Sequence, residues 1–126
     1  MDRDGFQRII AQAFVPSLEE MGLRLTDQTA DGKQYSARFT GKDRLVAVIF
    51  EPGDNYLCVH ISDLDGERTR ILSDLNTSYL ARAGLRERVE NDRYFEVVTV
   101  NDEHEAALLL CAKDLKLVLP RYFADQ

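Results

Sequence analysis

Residues 23–61 read LRLTDQTADGKQYSARFTGKDRLVAVIFEPGDNYLCVHI. Segments 23–29 and 35–40 alternate apolar and polar residues, which is the period of a half-buried β-strand. Segment 45–50 is apolar on both faces, and segment 56–61 supplies a fourth strand. Turn-forming residues separate the segments, and Asp31-Gly32 predicts a two-residue hairpin with positive φ at both positions. The sequence therefore predicts a four-strand antiparallel meander.

The third and fourth predicted strands differ from the first two on the face that points away from the core. On the fourth strand, the residues expected in the core are Leu57, Val59 and Ile61. Its opposite face carries three other residues: Tyr56, Cys58 and His60. An antiparallel sheet that is open to water normally shows polar residues on its outer side. We therefore expect this half of the sheet to be covered on both sides, either by the protein's own second half or by a partner chain.

Before the meander, the chain carries one apolar stripe at helical spacing. Its members are Phe6, Ile9, Ile10, Ala13, Phe14, Leu18 and Met21. Pro16 cannot donate a backbone hydrogen bond to Gln12, so the helix is expected to kink or restart there. Gly22 is expected to end it as a left-handed C-cap.

After the meander, Ser73 or Asp74 is expected to cap a middle helix that runs to about Ala83 and ends at Gly84. Segment 94–100 is predicted to be a strand. Residues 85–89 fit either a second strand, paired through a turn at 91–92, or a helix. The second half therefore adds one middle helix and one or two further strands.

The final helix has the clearest signals in the second half of the chain. Asp102 and Glu105 form a candidate capping box. The residues that share its apolar face are Leu108, Cys111, Leu115 and Val118, and Pro120 is expected to stop or bend the helix. The whole pattern predicts a single α+β domain over residues 1–126. An N-terminal helix and a C-terminal helix are packed on the antiparallel sheet in this fold.

Composition and charge exclude several kinds of partner. The 126 residues include 16 basic and 22 acidic side chains, a formal net charge of −6. Nucleic acids and anionic membranes bind through clustered Lys and Arg, so neither is expected. The residues Arg82, Arg86, Arg88 and Arg93 alternate with acidic ones, which predicts an ion-paired, solvated segment. A protein partner is expected to be basic. With two cysteines and no secretory signal in the opening residues, we expect a cytoplasmic protein.

No motif in the sequence predicts a metal, a cofactor or a catalytic group. Cys58 and His60 share a strand face, but His104 and Cys111 lie seven residues apart on one helix, roughly 10 Å along its axis. Two ligands of one zinc ion lie much closer together than that. No phosphate-binding loop and no nucleophile elbow occur. We therefore expect neither metal nor cofactor, and no enzymatic activity.

The favoured hypothesis is a non-enzymatic, acidic protein-binding module. In element order and charge it is similar to bacterial immunity proteins, which mask a basic toxin, although no motif carries that similarity. Secretion chaperones are similar in the same respects, and they would imply a homodimer. The candidate partner-binding residues are Arg24, Arg38, Tyr56, Cys58 and His60 on the sheet, and Asp63, Asp65 and Glu67 on an acidic rim.

A third hypothesis is a small-molecule-binding or enzymatic domain. It would use a pocket between the sheet and the last helix, where His60 meets Tyr35 or Arg38.

Overall fold

The predicted antiparallel sheet is present in the computed structural model, which describes residues 1–80 and 93–126. Its first four strands are β1 (Arg24–Ala30), β2 (Tyr35–Thr40), β3 (Arg44–Glu51) and β4 (Tyr56–Asp63). A short fifth strand, β5 (Arg70–Ile71), pairs antiparallel with β4, and the spatial order is β1-β2-β3-β4-β5. The α+β class and the meander are confirmed. The fifth strand, however, precedes the middle helix instead of following it.

The hairpin between β1 and β2 lies where the sequence predicts it, but its turn is of another kind. The loop spans residues 31–34, between paired Ala30 and Tyr35. The Asp31 carboxylate accepts hydrogen bonds of 2.9 Å from the backbone N–H groups of Lys33 and Gln34. Gly32 does not have a positive φ, so the predicted two-residue turn is wrong. An aspartate that bonds the backbone ahead of it stabilises the longer loop instead.

The N-terminal helix is interrupted just before its proline, as the sequence predicts. It consists of α1 (Arg3–Ile9), a π-helical turn (Ile10–Phe14) and α2 (Val15–Glu19). The N–H of Val15 bonds to the carbonyl of Ile10, five residues back. Pro16 has no N–H for the regular pattern, and the wider turn accommodates that loss. Gly22 then adopts φ +80° and confirms the left-handed C-cap.

The predicted strand at 94–100 is wrong. The chain forms one helical turn, α4 (Arg93–Glu96), and residues 97–100 form no strand. Phe95 is buried in the core, whereas Val97 is 68% exposed. The β-branched residues resemble a strand in composition, but strand propensity depends on having a neighbour to pair with. Here the burial of one aromatic ring is achieved by a helical turn.

The N-cap of the middle helix, α3 (Leu72–Tyr79), lies two or three residues earlier than predicted. Ile71 occupies the N-cap position without a side-chain hydrogen bond, and Ser73 and Asp74 lie in the first turn. The helix ends at Tyr79, with Leu80 in the C-cap position, so it is about four residues shorter at this end than predicted. Ala83 and Gly84 themselves, the alternatives for 85–89 and the turn at 91–92 lie outside the described residues. So do Arg82, Arg86, Arg88 and the side chain of Arg93.

The last helix, α5 (Glu103–Ala124), continues through Pro120, so the predicted stop there is wrong. Pro120 itself is exposed, but Tyr122 beyond it is buried. The Arg121 guanidinium donates a 2.6 Å hydrogen bond to the Leu117 carbonyl. Packing of the final turn therefore outweighs the backbone hydrogen bond that a proline removes.

The helices pack on one face of the sheet, which we call the inner face. The ring centroids of Phe6 and Tyr35 lie 5.8 Å apart, and those of Phe14 and Phe39 lie 6.4 Å apart. The N-terminal helix therefore lies over β2. His104 at the start of α5 lies 5.4 Å from Phe50 of β3, between ring centroids. Within residues 1–80 and 93–126, no helix combines the length and apolar character needed to cross a bilayer.

Candidate functional site

The opposite face of the sheet, which we call the outer face, has no helix packed on it within the described residues. Along β3, buried and partly exposed residues alternate, and the inner-face residues Val46, Val48 and Phe50 are buried. The residues that form the outer face and remain at least partly exposed include Arg24, Asp27, Thr29, Ser36, Arg38, Thr40, Leu45, Ala47, Ile49, Glu51, Tyr56, Cys58, His60 and Ile71. Ser62, at the end of β4, is the buried exception on this face.

The apolar centre of the outer face belongs to β3, as the sequence indicates. The expectation that the second half of the chain covers it is not met by α3, α4 or α5. The buried leucines of α3 join the same core as the inner face, and α5 lies over the inner side of β3. Apolar residues of modest size on a central strand are partly shielded by their neighbours, so they tolerate an open face.

Strand register places five of the predicted site residues on the outer face. Arg38 and His60 both pair with Ala47, one from each side. With neighbouring strands about 4.8 Å apart, their backbones lie about 10 Å from each other. Cys58 pairs with Ile49 in the adjacent row, and Tyr56 lies at the start of the same strand. Arg24 lies on the same face at its far edge, where it pairs with Thr40 on β2.

Polar side chains along β4 contact one another directly. The Cys58 Sγ lies 3.2 Å from His60 Nε2. A side-chain hydrogen bond with Cys58 raises the pKa of the Tyr56 phenol above its ordinary value. This row adds hydrogen-bonding groups to the rim of an otherwise apolar patch.

The predicted acidic rim is a loop in which basic side chains are interspersed. Asp63 lies 3.8 Å from the Arg68 guanidinium. Asp65 accepts a 3.0 Å hydrogen bond from the backbone N–H of Glu67. Arg70 follows directly on β5, so the rim carries only a small excess of negative charge.

The predicted meeting of His60 with Tyr35 does not occur, because the two lie on opposite faces of the sheet. The Tyr35 ring packs on the inner side, 5.8 Å from Phe6 and 6.0 Å from Phe50. His60 does not line the clefts beside Asp31, Glu51, Arg44 and Arg68. Of the two predicted partners, Tyr35 and Arg38, only Arg38 lies on the same face of the sheet as His60.

The remaining cysteine and histidine lie on the helix side of the sheet. Burial raises the pKa of the Cys111 thiol to about 12, which keeps it protonated at neutral pH. His104 packs on Phe50, so the sheet separates it from His60. Within residues 1–80 and 93–126, no group of three metal-ligating side chains converges.

Sequence reasoning missed Arg44, the first residue of β3. It occupies an inner-face position, because it lies two residues before the first of the buried residues that alternate along the same strand. Its guanidinium lies 4.2 Å from the centre of the Phe123 ring and lines a cleft of about 230 Å³. An arginine in line with alternating core residues was the available signal.

Comparison with known proteins assigns no family to this fold. The chain matches no protein-family model, no curated protein and no solved structure. Its function must therefore be inferred from its own surface and clefts.

Proposed function

We propose that this protein is a non-enzymatic protein-binding domain that docks a partner on the outer face of its sheet. The observation that carries the proposal is the apolar centre of that face, Leu45, Ala47 and Ile49, which no helix covers within the described residues. Contiguous apolar surface on a folded domain marks interaction sites. A partner would remove this surface from water.

The residues around the apolar centre are of the kinds that carry binding energy. Tyr56 is 50% exposed at one margin. Arg24 and Arg38 are exposed at the other. Tyrosine and arginine are enriched among the residues whose truncation costs an interface the most. An apolar centre with such a rim matches the usual anatomy of a protein interface.

The partner we propose is a basic protein, as for an immunity or inhibitor protein. The net charge of −6 attracts a basic partner over the whole molecule. On the outer face itself, Arg38 is in register with Asp27, so the local charges largely offset each other. Long-range charge would therefore raise the association rate, while the apolar centre would limit dissociation. Reversal of charge at Asp63, Asp65 and Glu67 should weaken binding and reduce its salt dependence.

The proposal is tested by comparing arginine substitutions at two apolar residues, Ile49, which is partly exposed, and Leu110, which is exposed. Ile49→Arg places a charge in the centre of the outer face. Leu110→Arg is the matched control, because Leu110 is 41% exposed on α5, in the helix layer. Tagged forms of both variants and of the wild type are used to capture proteins from lysate of the native host, and the retained proteins are identified by mass spectrometry.

We expect one stoichiometric, basic protein to be retained by the wild type and by Leu110→Arg but lost from Ile49→Arg. Circular dichroism checks that both variants remain folded. Equal retention by all three would place the binding surface elsewhere and contradict the proposal. No retained protein at low salt would contradict it as well.

A second copy of this chain is the alternative occupant, as for a chaperone-like dimer. The same apolar centre favours it, because two identical faces can pair around a two-fold axis. Light scattering separates the two cases. A wild-type dimer that Ile49→Arg converts to a monomer would identify the second copy as the occupant. A monomeric wild type would leave the face to a different protein.

A further inference from the structure

We propose a second site in the cleft beside Arg44, which would bind a carboxylate carried on a small apolar group. The cleft lies at the end of the sheet where the β2–β3 turn meets the end of the N-terminal helix. It belongs to the helix side of the sheet, so it is separate from the outer face and does not depend on what docks there.

Arg44 carries a charge that the described part of the chain does not neutralise. One face of its guanidinium is covered by the Phe123 ring at 4.2 Å. Its Nη1 is buried and has no hydrogen-bond partner. The residue paired with it across the strands, Asp63, instead contacts Arg68. A guanidinium that is partly removed from water and lacks an acceptor is destabilised, and a bound anion would relieve this.

The charges around the cleft match an anion with one negative charge. Lys42 and Arg44 contribute two positive charges to the lining and Asp43 contributes one negative charge, which leaves an excess of one. A planar guanidinium binds a carboxylate through two parallel hydrogen bonds. A dianionic phosphate would place its second charge near Asp43 and be disfavoured.

The other walls of the cleft are apolar or backbone, and they limit the size of the ligand. Met21, Leu23 and Phe123 supply apolar surface. Gly22 and Gly41 form a close backbone contact, since a Cβ on Gly41 would lie 3.1 Å from the Gly22 carbonyl oxygen. The volume of about 230 Å³ is below the roughly 300–1,000 Å³ of pockets for drug-sized ligands. It suits a small acid or the last residue of a peptide chain.

The test is a titration followed by the NMR signals of the Gly22 and Gly41 amides. The probes are N-acetylleucine, its uncharged amide N-acetylleucinamide, inorganic phosphate, and a short peptide that ends in a leucine carboxylate. We expect saturable shifts with N-acetylleucine and none with the amide. Arg44→Met should weaken binding by at least about tenfold, because it removes charge-assisted hydrogen bonds. It should leave the fold intact, since an apolar methionine can pack against Phe123 in place of the guanidinium and no unpaired charge remains.

Arg38→Met is the matched control, because it removes an exposed arginine from the outer face and should bind N-acetylleucine as the wild type does. Flat titrations with both carboxylate probes would overturn the proposal. So would equal binding by Arg44→Met or by the uncharged amide. Phosphate binding as tight as carboxylate binding would contradict the assignment of a monocarboxylate. Binding of the peptide as well as the free acid would assign the cleft to a chain end. Binding of the free acid alone would assign it to a small molecule.

Discussion

The Glu105 carboxylate, in the first turn of α5, pairs with the guanidinium of Arg8 in α1, 97 residues earlier in the chain. Glu105 is only 4% exposed. Arg8 also donates a 2.6 Å hydrogen bond to the carbonyl of Thr99, just before α5. The sequence predicts a capping box here, and Asp102 does accept a 2.8 Å bond from the Glu105 N–H. The Glu105 side chain, however, connects the two terminal helices instead of capping its own.

Removal of the Glu105 carboxylate should destabilise the protein. We expect Glu105→Ala to lower the free energy of unfolding by about 2 kcal/mol, less than for a fully buried ion pair, because Arg8 is partly exposed and retains some solvation. Glu103→Ala is the control, since Glu103 is an exposed acid in the same turn. Urea denaturation measures both. Equal losses would mean that the helix dipole alone accounts for the effect of Glu105.

A methyl group at Gly5 should disturb the same ion pair. A Cβ at this position would lie 2.8 Å from Glu105 Oε2 and 3.2 Å from the Asp2 carboxylate. Alanine is normally favoured over glycine inside a helix by about 1 kcal/mol, yet we expect Gly5→Ala to lower the thermal midpoint. Gly32→Ala is the control, because its Cβ would have open space and its φ is not positive. A Gly5→Ala variant that is more stable than the wild type would contradict the packing described for Glu105.

Stability should fall in acid partly through two aspartates. Backbone hydrogen bonds from Lys33 and Gln34 lower the pKa of Asp31, and one from Glu105 lowers the pKa of Asp102. A carboxyl group with a lower pKa in the folded state contributes stability above its unfolded pKa, near 3.8. That contribution is lost as the pH falls below this value and through the folded pKa.

The check is the urea midpoint measured from pH 6 to pH 2.5. An Asn side chain can accept the same backbone hydrogen bonds as Asp, in a turn or at a helix N-cap, but it does not titrate. The urea midpoint of the double variant Asp31→Asn/Asp102→Asn should therefore be close to that of the wild type at low pH and should change less with pH. An unchanged slope would show that other groups control the acid transition.

Local patterns predicted the parts of this fold that depend on local physics. The strands follow from alternation, the break in the N-terminal helix follows from Pro16, and its end follows from Gly22. The failures arise where tertiary packing outweighs local preference. Pro120 lies inside α5 because Tyr122 beyond it is buried, and segment 94–100 forms no strand, because Phe95 is buried by a helical turn.

The same distinction between local pattern and tertiary packing applies to the candidate sites. Alternation placed Tyr56, Cys58 and His60 on one face, and the structure keeps them together. Alternation does not show which layer a helix occupies. Of the two predicted covers for the outer face, the chain's own second half and a partner chain, the first is not supplied by the helices of the described residues. The cleft at Arg44 depends on Phe123, which is 79 positions later in the chain. No local pattern in the sequence connects the two.

The openness of the outer face can be tested on two adjacent residues of β3. Val48 is buried on the inner face, where it pairs with Ala37 and Val59, whereas Ile49 points to the outer face and is partly exposed. Val48→Ala removes core methyl groups and leaves a cavity, so we expect it to cost about 2 kcal/mol. Ile49→Ala removes a larger side chain but leaves no enclosed cavity, so it should cost less than about 1 kcal/mol. Urea denaturation of the purified protein measures both. If Ile49→Ala is as costly as Val48→Ala, some part of the chain covers the outer face, and the surface is then core instead of a docking site.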